Sequence, residues 1–402
     1  MRQNFDPPSD DISGANALSS KGPPDIDQNN EIPQQVSALS PEVAEPEITR
    51  EQLSLKKRLL NWRTLIPLLI VIAALIFFAK KLDINPQQTW ADMRSANLLF
   101  FLIAFFIYYC SFAMRALRWH MLLENVGYKK EHGIHLPGFW KLVEIIYISF
   151  FTNAVVPAKL GDLYRAYLLR QEINVPTTRS FGTVLAERLL DLIVLLLLFI
   201  SAIIVSLHGQ LPVQLEVGLE IALAVVFAAI IALFILRFGR EPLARLIPQR
   251  LHLYYYHLQE GILGSFRRVP GLTILTIAVW SCEALRFFFI ALSLNLIVGS
   301  FIHILAAAIF IGLGEALLTA IPATGGGIGL VEAGMLAMLA LFDHSRNATN
   351  LMAAAILLDR TITLFSILCF GFIVFLLAFG RKAAQQSASV QQVETPKTLT
   401  RR

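Results

Sequence analysis

Ionisable residues inside apolar stretches are the groups of this sequence that could do chemistry. Glu187 and Asp191 are four residues apart beside a long apolar run, so on a helix they share one face. Two carboxylates that close repel each other unless a cation lies between them. Arg118, Lys159 or Arg165 could supply that cation. The spacing predicts a cluster of opposite charges within the apolar segments.

Other charged residues interrupt apolar segments along the whole chain. A charge at the centre of a bilayer costs about 2.5–3.5 kcal/mol on insertion scales, and such residues are typical of substrate and ion pathways. The alternative for each residue is an interfacial position or a structural ion pair, in which a long side chain reaches toward water. The charged candidates for substrate binding are Arg118, Lys159, Arg165, Glu187, Arg188, Asp191, Arg286, Glu315, Glu332, Asp359 and Arg360.

Two breaks rich in proline and glycine supply the neutral candidates. An apolar region at 139–172 is interrupted at Pro157, and a second one at 303–342 is interrupted at Pro322. Each region is therefore predicted to be a helix, a break and a second helix. A helix that begins at such a break exposes N–H groups that suit a phosphate or carboxylate, although a tight turn between packed helices is the alternative. The neutral candidates are Asn153, Gly161, Gly325, Gly326 and Gly327.

The elements that must position these residues are membrane-spanning helices. Of the 402 residues, 55% are hydrophobic and 16% are charged, whereas soluble domains carry about a quarter charged residues. Apolar blocks such as Leu192–Leu207 approach the roughly 20 residues that cross a bilayer as a helix. The composition excludes a soluble protein and predicts an all-α polytopic membrane protein. The predicted spans are 63–80, 98–118, 181–207, 215–237, 271–298 and 351–379.

Three short signatures occur twice in the same order, at offsets of 168, 165 and 172 residues. Each half then contains a plain span, an Ala-Leu-Arg span, a broken pair and an acid-Arg span, which makes an odd number of crossings. We therefore predict two inverted repeats, a design of secondary transporters, although an inert duplication is the alternative. The signatures are Ala116-Leu117-Arg118 with Ala284-Leu285-Arg286, Pro157-Ala158 and Gly161 with Pro322-Ala323 and Gly326, and Leu185–Arg188 with Leu357–Arg360.

Charge distribution predicts the domain organisation. Residues 1–60 are expected to form a disordered acidic cytoplasmic tail, because the first 49 residues hold nine acidic and two basic residues. Residues 61–380 form the transmembrane domain, with repeat one at about 61–207 and repeat two at about 215–380. Residues 381–402 form a basic tail. Lysine and arginine before the first span and after the fourth predict cytoplasmic termini and a cytoplasmic (inner) membrane location.

Neither a cofactor motif nor a catalytic nucleophile stands out. His132 and His135 are a weak metal pair, and the three cysteines lie inside apolar stretches, which argues against disulfides and zinc. We expect no cofactor, no metal and no nucleic-acid partner. The sequence favours a transporter over an enzyme.

Several of these residues together carry a resemblance to a known family. The segments Ala116–Trp119, Asn153–Arg165, Ala186–Asp191 and Pro322–Glu332 resemble the lysylphosphatidylglycerol synthase transmembrane (flippase-like) domain family, over about residues 60–380. The resemblance implies a membrane lipid substrate that is moved between leaflets. Some members resemble partners of lipid-linked glycan assembly, which implies a lipid- or glycan-synthesising enzyme partner. Bifunctional members also have a soluble aminoacyl-transfer domain after the membrane domain, and we expect no lysyl transfer here because no such segment follows residue 380.

Three functions remain open at this stage. The first is a translocase whose polar cleft holds an anionic or zwitterionic head group. The second is an integral-membrane transferase that uses carboxylates such as Glu187 and Asp191 as general bases. The third is a non-transporting partner of a lipid or glycan synthase.

Overall fold

The structure, a computed structural model, describes residues 84–156, 159–206, 213–321, 325–342 and 346–378. The predicted span 63–80 and both predicted tails lie outside these residues. Within the described ranges the chain is helical and contains no strand. The helices are α1 Pro86–Ser95, α2 Leu98–Asn125, α3 Phe139–Val155, α4 Leu160–Ile173, α5 Thr177–Ser206, α6 Val213–Phe238, α7 Arg240–Leu246, α8 His252–Ser265, α9 Val269–Ser293, α10 Phe301–Ala320, α11 Leu330–Leu339 and α12 Arg346–Arg360.

Six helices in the described part of the chain are long and apolar enough to cross a membrane, which confirms an all-α, multi-pass membrane protein. Five of them match predicted spans. The sixth, α10, is the first arm of the broken region predicted at 303–342. Its 20 residues rise about 30 Å, which is the thickness of the hydrocarbon core. The last span runs from Thr349 to Ala378 and contains a π-helical turn at Thr361–Phe365.

Both broken regions have the predicted helix–break–helix form, but two predicted helix ends are wrong. Helix α9 stops at Ser293, five residues before the predicted end, because Asn295 adopts the left-handed conformation (φ 49°) and turns the chain. Helix α2 instead continues to Asn125, beyond the predicted end at Arg118. Arg118 is buried among partners and does not mark the membrane surface.

Helices α2 and α9 carry the two Ala-Leu-Arg signatures and pack antiparallel. At one end the Asn97 N–H donates to the Ser293 carbonyl (2.8 Å), and at the other Asn125 Nδ2 donates to the Ser265 carbonyl (2.8 Å). By the offset of 168, Asn97 corresponds to Ser265 and Asn125 to Ser293. Contacts that exchange equivalent positions are the pattern of a two-fold axis. They support the predicted inverted duplication.

The two spans that carry the acid-Arg signature exchange packing partners between the halves. Phe199 of α5 stacks on Phe310 of α10, with ring centroids 5.2 Å apart. The ring centroid of Phe372, in the last span, lies 6.5 Å from that of Phe151 in α3. Each acid-Arg span therefore packs against the first arm of the other half's broken region. The two halves share one core.

Basic residues collect at one end of the bundle. Arg179, Arg237 and Arg267 line a polar cleft of about 730 Å³ where α5 and α9 begin and α6 and α8 end. The Asn97–Ser293 contact lies at the opposite end of α2 and α9. The bundle thus has one strongly basic end.

Candidate functional site

Arg118 lies between the two carboxylates that the sequence predicted to share a helix face. Its Nη2 donates to Glu187 Oε1 (2.7 Å) and its Nη1 to Asp191 Oδ1 (2.5 Å). Nη1 also donates to Thr276 Oγ1 at 2.8 Å. The side chain of Arg118 is completely buried. Among the three predicted partners, Arg118 is therefore the one that contacts both carboxylates and offsets their repulsion.

Arg165, on the helix that follows the first break, also reaches this group. Its Nη1 lies 2.9 Å from Glu187 Oε2. The guanidinium carbon lies 3.9 Å from the ring centroid of Trp119, which is a cation–π geometry. Arg165 is itself buried, so it is a packed structural partner of Glu187.

Arg188 pairs mainly with Asp162 and only weakly with Asp191. Its Nε and Nη2 donate to the two Asp162 carboxylate oxygens at 2.9 and 2.8 Å, whereas Nη1 is 3.8 Å from Asp191 Oδ2. Asn153 donates to Asp162 (3.1 Å) and accepts the Gly161 N–H (2.8 Å). These bonds tie α3, α4 and α5 together at the first break. The first-half cluster is Arg118, Asp162, Arg165, Glu187, Arg188 and Asp191.

Arg286 is the centre of a second cluster, built by the other half. It is buried and is shared by three carboxylates. Nη2 donates to Glu315 Oε2 (2.6 Å), Nε donates to Glu283 Oε2 (3.3 Å), and Nη1 pairs with Asp359. Asp359 is fully buried.

Arg360 completes the second cluster. Its Nε is 2.8 Å from Glu332 Oε1, and its Nη1 is 3.6 Å from Glu315 Oε1. Glu332 also accepts the Gly329 N–H at 2.5 Å, which caps α11. The second-half cluster is Glu283, Arg286, Glu315, Glu332, Asp359 and Arg360.

The two clusters place equivalent arginines in similar ion pairs. In each half the arginine of the Ala-Leu-Arg signature binds the acid of the acid-Arg signature, as Arg118 binds Glu187 and Arg286 binds Asp359. In each half the arginine of the acid-Arg signature binds a carboxylate on the helix after the break. Those pairs are Arg188 with Asp162 and Arg360 with Glu332.

A buried ion pair joins the halves beside the cavity. Arg115 Nη2 is 3.0 Å from Glu283 Oε1, and the offset of 168 makes these two positions equivalent. The Arg115 guanidinium also lies 5.1 Å from the ring of Phe150 and 5.6 Å from that of Trp280. If the halves are inverted repeats, a contact between equivalent positions lies close to the axis that relates them.

One cavity of about 410 Å³ lies between the clusters and is lined by both halves. Its wall combines charged groups with apolar side chains such as Leu192, Leu195 and Ile367. The predicted site residues that line it are Asn153, Lys159, Arg188, Asp191, Arg286, Glu315, Gly326, Gly327 and Arg360.

The remaining predicted residues lie outside the lining of this cavity, and a direct role in substrate binding stays a prediction for them. They are Arg118, Gly161, Arg165, Glu187, Gly325, Glu332 and Asp359. Sequence reasoning left out of the site several residues that do line it: Tyr108, Arg115, Phe150, Asp162, Trp280, Glu283, Thr319 and Thr363. A signal existed for Arg115, because it is one helical turn before Arg118 and matches Glu283 at the repeat offset.

The glycines of the two breaks differ in what they do. A Cβ on Gly161 would overlap the Ser149 carbonyl oxygen, so this glycine lets α4 approach α3. Gly326 and Gly327 have φ of 63° and 71°, a conformation that side chains rarely adopt, and both line the cavity. A Cβ on Gly325 would lie 2.7 Å from the Ala154 carbonyl oxygen, so the second break packs directly on α3 of the first half.

Comparisons with known proteins place these features in a wider group. The sequence model of a family described as the lysylphosphatidylglycerol synthase TM region matches residues 64–371. The UPF0104 membrane protein MJ1078 of Methanocaldococcus jannaschii is 34% identical over 235 residues, which are 56% of this chain and 93% of that protein. The UPF0104 membrane protein PH1989 of Pyrococcus horikoshii is 22% identical over 327 residues, 74% of this chain and 92% of that protein.

A glycosyltransferase is also similar to part of the chain. Glycosyltransferase AglD of Haloferax volcanii is 29% identical over 143 residues. That stretch is 35% of this chain and 22% of AglD. The similarity therefore concerns a minor part of the glycosyltransferase.

Proposed function

This chain belongs to the lysylphosphatidylglycerol synthase TM region family, and from that premise we propose that it moves a phospholipid or lipid-linked molecule between the leaflets of a membrane. The head group would occupy the cavity between the two clusters, while the hydrocarbon chains remain in the bilayer. The cavity volume of about 410 Å³ lies within the roughly 300–1,000 Å³ that is usual for small-molecule sites.

The observation that carries this proposal is a charged cavity built jointly by two similar halves inside apolar helices. Burying so many charges is costly, and a cost of this kind is usually retained at substrate or ion pathways. In secondary transporters with inverted repeats, the substrate site lies at the repeat interface beside broken helices. Here both breaks reach the cavity, through Lys159 in the first half and Gly326 and Gly327 in the second.

The carboxylates of the first-half cluster fit a structural role better than a catalytic one. Glu187 and Asp191 are the general bases of the transferase alternative. Each of their four carboxylate oxygens lies within 3.1 Å of a nitrogen of Arg118 or Arg165. This arrangement counts against the transferase alternative, because its proposed bases are already occupied.

A second candidate function is supported by the similarity to AglD. In this case the chain would be a membrane partner of an enzyme that builds lipids or lipid-linked glycans, and would move nothing by itself. Copurification of such an enzyme, together with unchanged cell lipids after substitutions in the cavity, would favour this role.

We also propose that the basic end of the bundle faces the cytoplasm and that the protein resides in the cytoplasmic membrane with both termini inside. The support is the concentration of Arg179, Arg237 and Arg267 at that end, since lysine and arginine are enriched in cytoplasmic loops.

Reconstitution of the purified full chain into liposomes tests the transport role. Fluorescent phospholipids with an acyl-chain label would be followed by quenching of the outer leaflet with dithionite. Ala320 lines the cavity, so Ala320→Trp should abolish transfer between leaflets by filling the space. Ala224 is exposed on α6, and Ala224→Trp serves as the matched control that should leave transfer unchanged. Failure of the wild-type protein to transfer any head group would refute the proposal.

A further inference from the structure

The charged side chains that line the cavity differ in how completely they are paired with opposite charges. Four carboxylates line the cavity, and each already has an arginine: Asp162 binds Arg188, Asp191 binds Arg118, Glu283 binds Arg115 and Glu315 binds Arg286. The wall therefore offers no unpaired carboxylate to a ligand amine.

The cations that line the same cavity are less completely paired than the carboxylates. Lys159 makes no ion pair or hydrogen bond with the residues that the structure describes, and it lines the cavity. Its charged neighbours are Arg188, Asp162 and Asp191, and both carboxylates are already held by arginines. The Arg188 side chain is 31% exposed, in contrast to the almost fully buried Arg118, Arg165 and Arg286. Two neighbouring cations on a cavity wall attract an anion.

A further donor atom without a partner lies in the second half. Arg360 Nη2 is buried and has no hydrogen-bond partner among the described residues, although the other guanidinium nitrogens of Arg360 are near carboxylates. A buried donor without an acceptor is costly and usually marks a ligand or an ordered water. Arg360 lines the same cavity as Lys159.

The backbone at Lys159 supports a role for its side chain. Lys159 has φ 52° and ψ 37°, the left-handed conformation. The other non-glycine residues with positive φ in the described ranges are both asparagines, which tolerate this conformation. Strain of this kind is kept where the surrounding structure needs a particular geometry. A lysine at this position of the cavity lining supplies a positive charge, which asparagine or glycine could not do.

We propose that the cavity selects an anionic phosphate head group, held between Lys159 and Arg188 with Arg360 as a further donor. This inference rests on the proposed transport function and assigns its substrate class. The source of the phosphate is taken to be a lipid, because Leu192, Leu195 and Ile367 continue the wall of the same cavity. A head group that carries an amine would gain nothing from carboxylates that arginines already hold.

Binding to the detergent-solubilised full chain tests the inference separately from transport. Isothermal titration would compare dihexanoyl-phosphatidylglycerol, dihexanoyl-phosphatidylcholine and inorganic phosphate. We expect the anionic lipid to bind about tenfold or more tightly than the zwitterionic one, as one charge-assisted hydrogen bond predicts. Inorganic phosphate should bind more weakly than the anionic lipid because it lacks the apolar part.

Variants connect that preference to the assigned residues. Lys159→Gln should weaken binding of the anionic lipid by about tenfold. It should weaken binding of phosphatidylcholine less, because the choline cation offsets part of the attraction to Lys159, whereas Lys159→Arg should retain the preference. Lys130 is an exposed lysine in the loop after α2, and Lys130→Gln is the matched control. Equal melting temperatures of Lys159→Gln and wild type would show that the loss is not a folding defect, because Lys159 has no partner in the fold.

The outcomes separate the two proposals. Equal affinities for the two lipids, or an unchanged affinity in Lys159→Gln, would overturn the phosphate assignment even if lipids are transported. Selective binding without transport would overturn the transport role and leave the phosphate site in place. Inorganic phosphate that binds as tightly as the anionic lipid would show that the site recognises free phosphate and not a lipid.

Discussion

The first-half and second-half clusters share their pairing but differ in their charge. The first-half cluster contains three arginines and three carboxylates, and each carboxylate has its own arginine contacts. The second-half cluster contains two arginines and four carboxylates, three of which share Arg286. Equivalent positions thus make equivalent contacts in unequal electrostatic surroundings.

Because of this difference in charge, the two similar halves contribute different groups to the cavity. The second-half cluster is short of cations and takes Arg115 from the first half through its pair with Glu283. The first half has a cation in excess, Lys159, which faces the cavity. Its equivalent at the offset of 165 is Thr324, a neutral residue. Duplication would explain the shared geometry, and later divergence would explain why one wall is suited to an anion.

The largest expected effect comes from removing the arginine that three carboxylates share. Arg286→Met should destabilise the protein by at least the roughly 3–5 kcal/mol that is typical of breaking a buried ion pair. Arg118→Met leaves two carboxylates without their shared arginine and should lower the free energy of unfolding less than Arg286→Met does. Denaturation of the purified protein in detergent, with melting temperature and SDS titration as readouts, measures the order of the two losses.

Two further variants serve as controls for the comparison of Arg118→Met with Arg286→Met. Arg286→Lys retains a charge and should recover part of the stability if Arg286→Met cannot be purified folded. Arg250 is exposed, and Arg250→Met should have little effect. Equal losses for Arg118→Met and Arg286→Met would show that the difference in charge between the clusters has no energetic consequence.

An intermediate loss of stability is expected when the buried ion pair between Arg115 and Glu283 is broken. Arg115→Met leaves Glu283 dependent on Arg286 alone and should cost about 1–3 kcal/mol, the penalty for an unsatisfied buried group. Glu283→Gln in the same chain should restore much of this loss, because the surplus carboxylate is removed together with its partner. A double-mutant cycle gives the coupling energy. Strictly additive losses would mean that the pair does not connect the clusters energetically.

A smaller loss of stability is expected for alanine substitutions at the glycines of the two breaks, and the loss should differ between them. Gly161→Ala forces a methyl group against the Ser149 backbone and should cost about 1–3 kcal/mol, as overpacking usually does. Gly325→Ala, with 2.7 Å to the Ala154 carbonyl oxygen, should cost less. Gly218 has open space around its Cβ position, so Gly218→Ala on α6 is the control and should be neutral or slightly stabilising. Melting temperatures in the reverse order would contradict this account of the close helix approach.

Sequence reasoning predicted the helices and breaks better than the contacts between them. Apolar length and the positions of proline and glycine are local properties, so five spans and both broken regions are confirmed within the described residues. The partner of Glu187 and Asp191 could not be chosen, because that choice depends on how α2 and α5 are rotated against each other. In the structure Arg118 contacts both carboxylates and Arg165 contacts Glu187 alone, although the three residues were equally possible from spacing.

The extent of the site was also only partly predictable. Arg188 and Asp191 are three residues apart and can pair on one helix, yet Arg188 binds Asp162 on α4 more closely. Phe150 and Trp280 line the cavity without any charge or motif to identify them. Aromatic residues are common on all apolar helices, so their role becomes visible only when the halves are assembled.

Opposite orientation of the two halves around one cavity is tested most directly by accessibility of a matched pair of cysteines. Lys130, after α2, and Val298, after α9, are equivalent at the offset of 168, and both are exposed. Each would be changed to cysteine in a full chain in which Cys110, Cys282 and Cys369 are replaced by serine. An impermeant maleimide applied to intact cells should label only Val298→Cys, whereas Lys130→Cys should react only after the membrane is opened. Labelling of both positions from the same side would contradict the inverted arrangement.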